Sequence, residues 1–362
     1  MNSKWTFCEL PESEWDKFEA SHEGTHFFQS VQRINMRKSM GYQNYIVGLR
    51  EDKKIVAGGV LLGRRGEFWM AYGPLIDWDN QALVETFLNG LINFSREKKM
   101  IKLEVFPGVL LSLRDSKGQV LEQWNRDELL KTFADAGFHY EGKTVNYEMK
   151  AGRWAFTKDL SGIKNIDELR ATYRKTLRAR LRQTDGQVEI QKLNRDELGK
   201  LIGLIDESDA HHGVNGRELD YYQKMFDAFG QDVEFLIALK SDNKTPVAGA
   251  IFIRHGQEVA SYLSGMDRRY RNLNGRAWLQ DYVMQKYLGK KVQRVNFFWI
   301  EGKFRDNRLL EFKSGFGGVV EEYIGGFEKV LQPAKYQTKR VARKAKSLTK
   351  KLINTPRRLL KS

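Results

Sequence analysis

The most informative stretch of the sequence is LLEFKSGFGGVVEEYIGGF, residues 309–327. It places an aromatic residue and a lysine, Phe312 and Lys313, directly before a glycine-rich loop. Glycine has no Cβ, so such a loop lets backbone and ligand come close together. A lysine beside it is suited to donating hydrogen bonds to an oxygen that becomes negatively charged during a reaction. The residues alone also fit a solvated lysine beside a β-turn, and both interpretations stay open at this point.

The pattern of apolar and turn residues before this stretch predicts one order of elements twice. The first set comprises helices at 12–21 and 29–40, strands at 43–49, 54–62 and 67–72, a helix at 80–98 and a strand at 101–107; a helix at 126–137 and strands within 140–160 follow. The second set comprises helices at 166–184, 195–208 and 217–229, strands at 232–240, 246–254 and 258–265, a helix at 274–288 and a strand at 291–299. The repeat predicts two similar α/β domains of roughly 150 residues each.

Composition limits the class of protein further. Hydrophobic residues make up 41% of the chain, which is enough for a buried core, and Cys8 is the only cysteine, which excludes an internal disulfide and a CxxC metal site. The adjacent His211 and His212 lack the ligand spacing of a metal site. The first residues have no apolar run of the signal-peptide kind, and no apolar stretch reaches the roughly 18 residues of a membrane span. We therefore expect a cytoplasmic protein without a metal.

Most of the positive charge lies at the C-terminal end. The formal net charge is +15, and eleven basic residues lie after residue 334 with no Asp or Glu among them, which leaves +4 for the rest. The eleven are Lys335, Lys339, Arg340, Arg343, Lys344, Lys346, Lys350, Lys351, Arg357, Arg358 and Lys361. Residues 336–353 are predicted to form a helix with an apolar stripe. The stripe consists of Val341, Ala345, Leu348 and Leu352.

Three clusters of residues resemble a known family. They are FFQSVQRINMRKSMGY (27–42), AYGPLID (71–77) and the stretch quoted above, which is similar to the family pattern Asn–Leu–x–x–Phe–Lys–x–Gly–Phe–Gly–Gly. The family is that of the FemA/FemX/MurM (FemABX) tRNA-dependent peptidoglycan bridge aminoacyltransferases. The resemblance implies an α/β (α+β) fold of two tandem GNAT-like domains with mixed sheets. The first domain would comprise residues 1–153 plus 320–334, the second 154–319, and a basic tail 335–362. The short connection KSDNKTP (240–246) resembles that of the armless FemX-type members.

The resemblance also implies an activity, the transfer of an amino acid from aminoacyl-tRNA to the stem peptide of a muramyl precursor (UDP-MurNAc-pentapeptide or lipid II). An amine of the precursor would attack the aminoacyl ester. Because the ester is already activated, the reaction needs alignment and a donor for the oxyanion, and no cofactor. Carried over position by position, Lys313 and Phe312 would serve the reacting ester. The residues that would hold the phosphates and sugar of the precursor are Arg37, Lys38, Arg217, Tyr221 and Tyr262. On a helix, Arg217 and Tyr221 would share one face.

The sequence departs from the family pattern in two regions. Arg33 stands where the family usually has Trp, and Arg37 stands where it usually has a substrate-binding Lys. The strand before the quoted stretch reads NFFWI (296–300), without the usual Asp-Phe-Gly-Gly. These differences leave the identity of the acceptor open.

Two alternatives concern the partners of the chain. RNLNGRA (271–277) is similar to the pyrophosphate loop of GNAT enzymes, with Asn272, Gly275 and Ala277 at its positions. Such a loop presents backbone N–H groups at a helix N-terminus, where anions bind, so an acyl-CoA-dependent N-acyltransferase is the alternative function. The basic tail fits either an anionic membrane surface, which its apolar stripe favours, or the backbone of the tRNA.

Overall fold

The computed structural model of the protein describes residues 4–22, 24–141, 153–211, 216–300 and 304–354. The β-strands are β1 (Thr6–Glu9), β2 (Gln43–Glu51), β3 (Lys54–Arg64), β4 (Glu67–Ala71), β5 (Lys102–Phe106), β6 (Leu110–Arg114), β7 (Val120–Gln123), β8 (His139–Tyr140), β9 (Trp154–Asp159), β10 (Val188–Lys192), β11 (Val233–Lys240), β12 (Pro246–His255), β13 (Glu258–Met266), β14 (Arg294–Trp299), β15 (Val319–Tyr323) and β16 (Phe327–Val330). The α-helices are α1 (Glu12–Ser21), α2 (Val31–Ser39), α3 (Gln81–Glu97), α4 (Asp127–Asp135), α5 (Ile166–Ala171), α6 (Lys175–Gln183), α7 (Gly199–His211), α8 (Leu219–Phe229), α9 (Gly275–Tyr287), α10 (Arg308–Ser314) and α11 (Pro333–Asn354).

The chain folds into two mixed sheets that repeat one arrangement. The first sheet has the strand order β1-β2-β3-β4-β5-β16-β8, and the second has the order β10-β11-β12-β13-β14-β9-β15-β6-β7. In each sheet an antiparallel three-strand meander leads through a crossover helix to a strand parallel to the last strand of the meander. Helix α3 connects β4 to β5, and α9 connects β13 to β14. The predicted repeat and the mixed character of the sheets are therefore confirmed.

The two sheets exchange strands. Strands β6 and β7 come from the N-terminal half of the chain, yet they lie in the second sheet next to β15. The chain then returns to the first sheet as β16, which pairs with β5 and β8. The sequence pattern predicts neither β6 nor β7. The predicted boundary would return the chain to the first domain at residue 320, within β15 of the second sheet. We propose instead that the return follows sheet membership and falls at residues 324–326.

Two further elements differ from the sequence prediction. The helix predicted at 166–184 is two helices, α5 and α6, separated at residues 172–174. The stretch quoted at the outset begins within a short helix, α10, capped by the Asn307 side chain, which accepts a hydrogen bond from the Leu310 N–H at 3.0 Å. Residues 142–152, where part of a strand was expected, and His212 lie outside the described residues.

Apolar side chains join the two sheets at their junction. One cluster combines residues before β5 with residues of the second half of the chain, and its buried members include Phe27, Met36, Tyr72, Tyr222 and Phe298. Helices α2 and α8 pack against each other there. Because this cluster draws on both halves of the chain, burial of its apolar surface fixes how the two sheets meet.

The basic tail begins as a helix docked on the first sheet. Lys339 Nζ lies 2.8 Å and a guanidinium nitrogen of Arg343 lies 2.9 Å from Glu67 Oε1. Tyr336 donates a hydrogen bond to Glu328. Val341, on the predicted apolar stripe, is 66% exposed. Among the described residues, none of the helices is both long enough and apolar enough to cross a membrane.

Candidate active site

Gln29 connects the first two sequence clusters. Its side-chain amide donates to the Ala71 carbonyl at 2.6 Å, and its side-chain oxygen accepts from the Val60 N–H at 2.7 Å. Gln29 is fully buried, and a Cβ at Gly73 would lie 2.7 Å from its Nε2. Gln29 and Gly73 therefore pack closely against each other and connect the first two sequence clusters.

Aromatic rings from both halves of the chain pack together at the junction of the sheets, and we call them the aromatic wall. The His26 ring stacks on Tyr72 with centroids 3.9 Å apart, and Tyr72 Oη accepts a hydrogen bond from the Trp299 indole at 3.1 Å. Phe28 stacks on the same Tyr72 ring at 5.7 Å. The Phe298 ring contacts His26, Phe28 and Trp299. The wall therefore combines FFQS, AYGP and NFFWI, three segments far apart in sequence.

Two buried arginines lie on α2, and Arg33 contacts this wall. Arg33 and Arg37 are 2% and 3% exposed, and within the described residues no carboxylate forms an ion pair with either. The Nε atoms of both are buried without a hydrogen-bond partner. The Arg33 guanidinium stacks on Phe28, with its carbon 4.2 Å from the ring centroid. Burial, together with the charge of Arg37, lowers the pKa of Arg33 to about 10. Two uncompensated buried cations side by side form a site for an anion.

Two tyrosines lie beside these arginines. We call the group of Arg33, Arg37, Arg217, Tyr221 and Tyr262 the cationic pocket. Tyr221 Oη and Tyr262 Oη lie 2.7 Å apart. Burial raises the pKa of Tyr221, and the charge of Tyr262 adds to this. For Tyr262, burial acts in the same direction, but the charges of Arg33, Arg37 and Arg217 outweigh it and lower the pKa. The Arg217 guanidinium carbon lies 5.3 Å from the centroid of the Tyr221 ring. The tyrosine hydroxyls therefore lie in a strongly positive field.

Lys313 contacts the backbone of two residues of the same aromatic wall. It is 7% exposed, and its Nζ donates to the carbonyl oxygens of Trp299 at 2.7 Å and Phe298 at 3.2 Å. Burial, with a smaller contribution from the charge of Arg276, lowers the pKa of Lys313 to about 7. The Phe298 ring in turn contacts Tyr262 at 5.5 Å. Lys313 and the cationic pocket are therefore connected through Phe298.

A bulge in β14 presents these two carbonyls. The pairing of β14 with β9 shifts in register between Asn296 and Trp299. Phe298 has a φ of 66°, a left-handed conformation that glycine adopts freely and a bulky residue rarely adopts. Counted from Asn296, Phe298 stands at the first glycine of the Asp-Phe-Gly-Gly pattern. The backbone at Phe298 is therefore strained, and its ring adds to the aromatic wall.

Phe312 on α10 contacts the candidate anion loop. The Arg276 guanidinium carbon is 4.8 Å from the Phe312 ring centroid. In the loop, Asn272 is exposed and Ala277 is buried in the core of the second sheet. A Cβ at Gly275 would lie 2.8 Å from Ala248 Cβ, so this glycine allows α9 to pack closely on β12. Packing alone therefore accounts for Gly275.

The structure brings together four of the five residues predicted to bind the substrate. Arg37, Arg217, Tyr221 and Tyr262 form the cationic pocket, whereas Lys38 is exposed. Arg217 precedes α8 by two residues, so the expected shared helix face is wrong, and the ring contact with Tyr221 takes its place. Arg33 was seen only as a departure from the pattern. Its helical spacing of four residues from Arg37 was the available signal.

A group of three carboxylates lies apart from the residues described above. One side-chain oxygen from each of Glu104, Glu141 and Glu328 lies within 4.8 Å of the other two. Lys102 Nζ is 3.2 Å from Glu104 and 2.9 Å from Glu328. The protein's own ammonium group thus supplies positive charge at this cluster.

Sequence and structure comparisons define the class of protein. The model of the FemAB family matches residues 10–241 and 239–344, so the chain belongs to the FemAB family. The two matches meet at the end of β11, where the short connection 241–245 leads to β12.

Individual relatives agree with this assignment. The chain is 22% identical to "Aminoacyltransferase FemA" of Staphylococcus aureus, over 94% of this chain and 99% of the relative. The crystal structure of FemX superposes with a TM-score of 0.76 at 15% identity and covers 92% of this chain and 99% of FemX. A tandem GNAT protein from the clavulanic acid biosynthesis pathway has a TM-score of 0.54 at 10% identity, covering 90% and 98%. The predicted family and the GNAT-like fold are confirmed.

Proposed function

We propose that this acyltransferase moves an amino acid from aminoacyl-tRNA to the stem peptide of a muramyl precursor, UDP-MurNAc-pentapeptide or lipid II, and so builds the interpeptide bridge. The observation that carries the proposal is the pair of buried arginines, Arg33 and Arg37, which have no carboxylate partner among the described residues. A buried lysine, Lys313, is connected to them through the aromatic wall. Family membership and the similarity to FemA and FemX support the same activity.

The cationic pocket fits the diphosphate of such a precursor. Buried charges without partners are costly, and a bound diphosphate would offset that cost with charge-assisted hydrogen bonds. Arginine can bind phosphate oxygens through two nitrogens at once. The Tyr221 and Tyr262 hydroxyls would donate to the remaining oxygens or to the sugar. The pocket therefore anchors the end of the precursor that does not react.

Lys313 serves the reacting end. The amine nitrogen of the acceptor forms a bond to the ester carbonyl carbon, whose oxygen becomes negatively charged. The Lys313 ammonium donates a hydrogen bond to that oxygen. The bond from the carbon to the ribose oxygen of the tRNA then breaks. The attacking nitrogen gives up one proton and the ribose oxygen takes up one, so the products are the new amide on the precursor and the free ribose hydroxyl of the tRNA. The Phe298 and Trp299 carbonyls hold the ammonium in place meanwhile.

The test uses purified protein and bulk tRNA charged with labelled amino acids. Label is followed into UDP-MurNAc-pentapeptide and into lipid II in separate reactions, with acetyl-CoA replacing the charged tRNA in a third. We expect transfer from tRNA to at least one muramyl acceptor and none from acetyl-CoA. Transfer from acetyl-CoA alone would contradict the proposal and favour the acyl-CoA alternative.

The acyl-CoA alternative rests on the loop Asn272–Ala277. The glycine of this loop is accounted for by helix packing, and family membership favours aminoacyl-tRNA as the donor. A direct check is the binding of coenzyme A to the protein. The alternative would be supported if the protein transferred an acyl group from acyl-CoA, and if Gly275→Ala abolished its binding of coenzyme A.

We further propose that the basic tail places the enzyme on the inner face of the cell membrane, where a lipid-linked precursor lies. The exposed Val341 and the absence of acidic residues after residue 334 support this. Truncation after Arg343 keeps the ion pairs to Glu67 and removes seven basic residues.

The tail proposal makes a direct prediction for the truncated protein. It should lose binding to phosphatidylglycerol vesicles about 100-fold or more, since each basic residue near the surface contributes about 1 kcal/mol. Turnover on UDP-MurNAc-pentapeptide should be kept. Vesicle binding equal to that of the full chain, or loss of tRNA binding instead, would contradict the membrane assignment.

A further inference from the structure

Helix α6 carries a one-sided stripe of cations, which we call the α6 stripe. It consists of Arg174, Lys175, Arg178 and Arg182, all exposed. At 100° per residue these four span about 100° of the helix surface, and Arg174, Arg178 and Arg182 follow one another at about 6 Å along the axis. An adjoining face, with Leu177 and Leu181, is buried in the core of the second sheet. The stripe is therefore a continuous row of positive charge.

The charges of the stripe are not neutralised by the protein. Within the described residues, none of the four forms an ion pair with a carboxylate. The nearby buried Asp281 is held by Arg170 at 2.6 Å and accepts a hydrogen bond from Tyr173 at 2.9 Å. The α6 helix itself contains four basic residues and no acidic ones. A polyanion could bind this row without displacing a carboxylate of the described residues.

The stripe begins at the catalytic segment. The Arg174 N–H donates to the Gly315 carbonyl at 2.8 Å, and its guanidinium donates to Ser314 Oγ at 2.8 Å. Ser314 follows Lys313 directly in the chain. The Tyr173 and Phe316 rings also touch, with centroids 5.3 Å apart. A polyanion lying along the stripe would therefore start beside the residue assigned to the reacting ester.

We infer that the α6 stripe binds the phosphate backbone of the acceptor arm of tRNA, next to the ester that it carries. This inference rests on the proposed function, because it locates the donor of that reaction. Regular rows of Lys and Arg without base-reading groups are typical of sequence-independent backbone contacts. A membrane surface fits less well, since Leu177 and Leu181 are buried and a membrane-surface helix exposes its apolar side chains.

The test compares two double variants that remove the same charge. Arg178→Gln with Arg182→Gln removes half of the stripe away from the catalytic segment. Arg180→Gln with Lys192→Gln removes two exposed cations from outside the stripe and is the matched control. The dissociation constant for uncharged tRNA is measured over a range of salt concentrations. Turnover is measured with charged tRNA and with 3′-O-aminoacyl-adenosine, which lacks the body of the tRNA.

The stripe variant should bind tRNA about tenfold or more weakly. The slope of log K against log salt should become shallower by about 1 to 2, since each lost phosphate contact changes it by up to about 0.9. Its turnover of aminoacyl-adenosine should equal that of the unaltered protein, and the control should resemble the unaltered protein throughout. An equal loss in both variants, or loss of binding to anionic vesicles with tRNA binding intact, would overturn the inference.

The two proposals fail in distinguishable ways. If the unaltered protein transfers amino acids but the stripe variant keeps its KM for aminoacyl-tRNA, the α6 assignment is wrong and the proposed function stands. If the stripe is needed for tRNA binding but no charged tRNA is used as donor, the α6 assignment stands and the proposed function is wrong.

Discussion

At the scale of single residues, the chemistry depends on two kinds of buried cation. Lys313 is held by backbone carbonyls and has a pKa lowered to about 7 by burial and by Arg276. Arg33 and Arg37 are held by aromatic rings and are not compensated by a carboxylate of the described residues. Lys313 can donate to an oxyanion only while it is protonated, whereas arginine side chains in general stay charged at any pH at which an enzyme works.

The lowered pKa of Lys313 predicts the pH profile of kcat/KM. An acceptor amine with a pKa of about 10.4 becomes more reactive as pH rises, while Lys313 loses its proton above about 7. The two effects cancel above that value, so kcat/KM should rise up to about pH 7 and then level off. In Lys313→Arg the rise should continue to higher pH. Identical profiles for both proteins would show that Lys313 does not act as the donor.

We expect Arg33 to lower the free energy of unfolding of the ligand-free protein and to strengthen substrate binding. Arg33→Met removes a buried charge, so it should raise the free energy of unfolding by about 1 kcal/mol or more in the absence of ligand. It should also raise the KM for the muramyl precursor about 10- to 100-fold, as expected for the loss of charge-assisted hydrogen bonds. Lys38→Met provides the comparison. A larger KM effect at Lys38 than at Arg33 or Arg37 would place the binding site on the exposed face of α2.

At the scale of elements, Gly317 and Gly318 of the SGFGG turn allow neighbouring segments of backbone to pack closely. Gly317 has a φ of 75°, and a Cβ on it would lie 2.7 Å from the Thr172 carbonyl oxygen. At Gly318 the φ is 133°, and a Cβ would lie 2.2 Å from the Thr157 carbonyl oxygen. These contacts bring α10, β15 and β9 together, so the glycines position Lys313 through packing.

Gly318→Ala should therefore cost about 3 kcal/mol or more of unfolding free energy, from backbone strain and the clash combined. Gly162→Ala is the matched control, because Gly162 also has a positive φ of 80° but nothing within 4 Å of its Cβ position. It should show the strain alone, about 1 kcal/mol. Equal losses in urea unfolding would show that the contact with Thr157 does not matter.

The same elements show what the sequence can and cannot predict. The periodicity of apolar residues predicts α3, α9 and both meanders, because these depend on local spacing. Strands β6 and β7 are missed, since β6 pairs with β15 more than 190 residues away and its register is set by that partner. The family motif finds Lys313 and Tyr262, but the position of Arg33 in the pocket and the left-handed backbone of Phe298 follow from tertiary packing.

At the scale of the whole molecule, buried polar groups link the two halves of the chain. His26 Nε2 lies 3.7 Å from Glu258, and Arg294 pairs with Glu258 at 3.0 Å and with Glu321 at 2.6 Å. His255, at the end of β12, pairs with the buried Glu19 of α1 at 2.5 Å. Burial lowers the pKa of His26 well below its usual value, with contributions from the charges of His255, Arg294 and Arg33.

This makes His26 a source of acid sensitivity. The unfolded chain takes up a proton at His26 near pH 6.5 and the folded protein does not, so stability should be lost as pH falls below about 6.5, by up to about 1.4 kcal/mol per pH unit. His26→Phe keeps the stacking on Tyr72 and should flatten the difference between unfolding at pH 7.5 and at pH 5.5. The exposed His139→Gln serves as the control. An unchanged pH dependence in His26→Phe would contradict this account.

The most direct test of the central claim compares the unaltered protein with Lys313→Met in amino acid transfer from charged tRNA to UDP-MurNAc-pentapeptide, with precursor binding measured separately by calorimetry. If Lys313 donates to the oxyanion while the arginine pocket holds the precursor, kcat should fall about 100-fold or more and the dissociation constant of the precursor should stay within about twofold. Equal turnover by both proteins would contradict the assignment of Lys313 to the reaction. Loss of precursor binding in the variant would show instead that Lys313 belongs to the binding site.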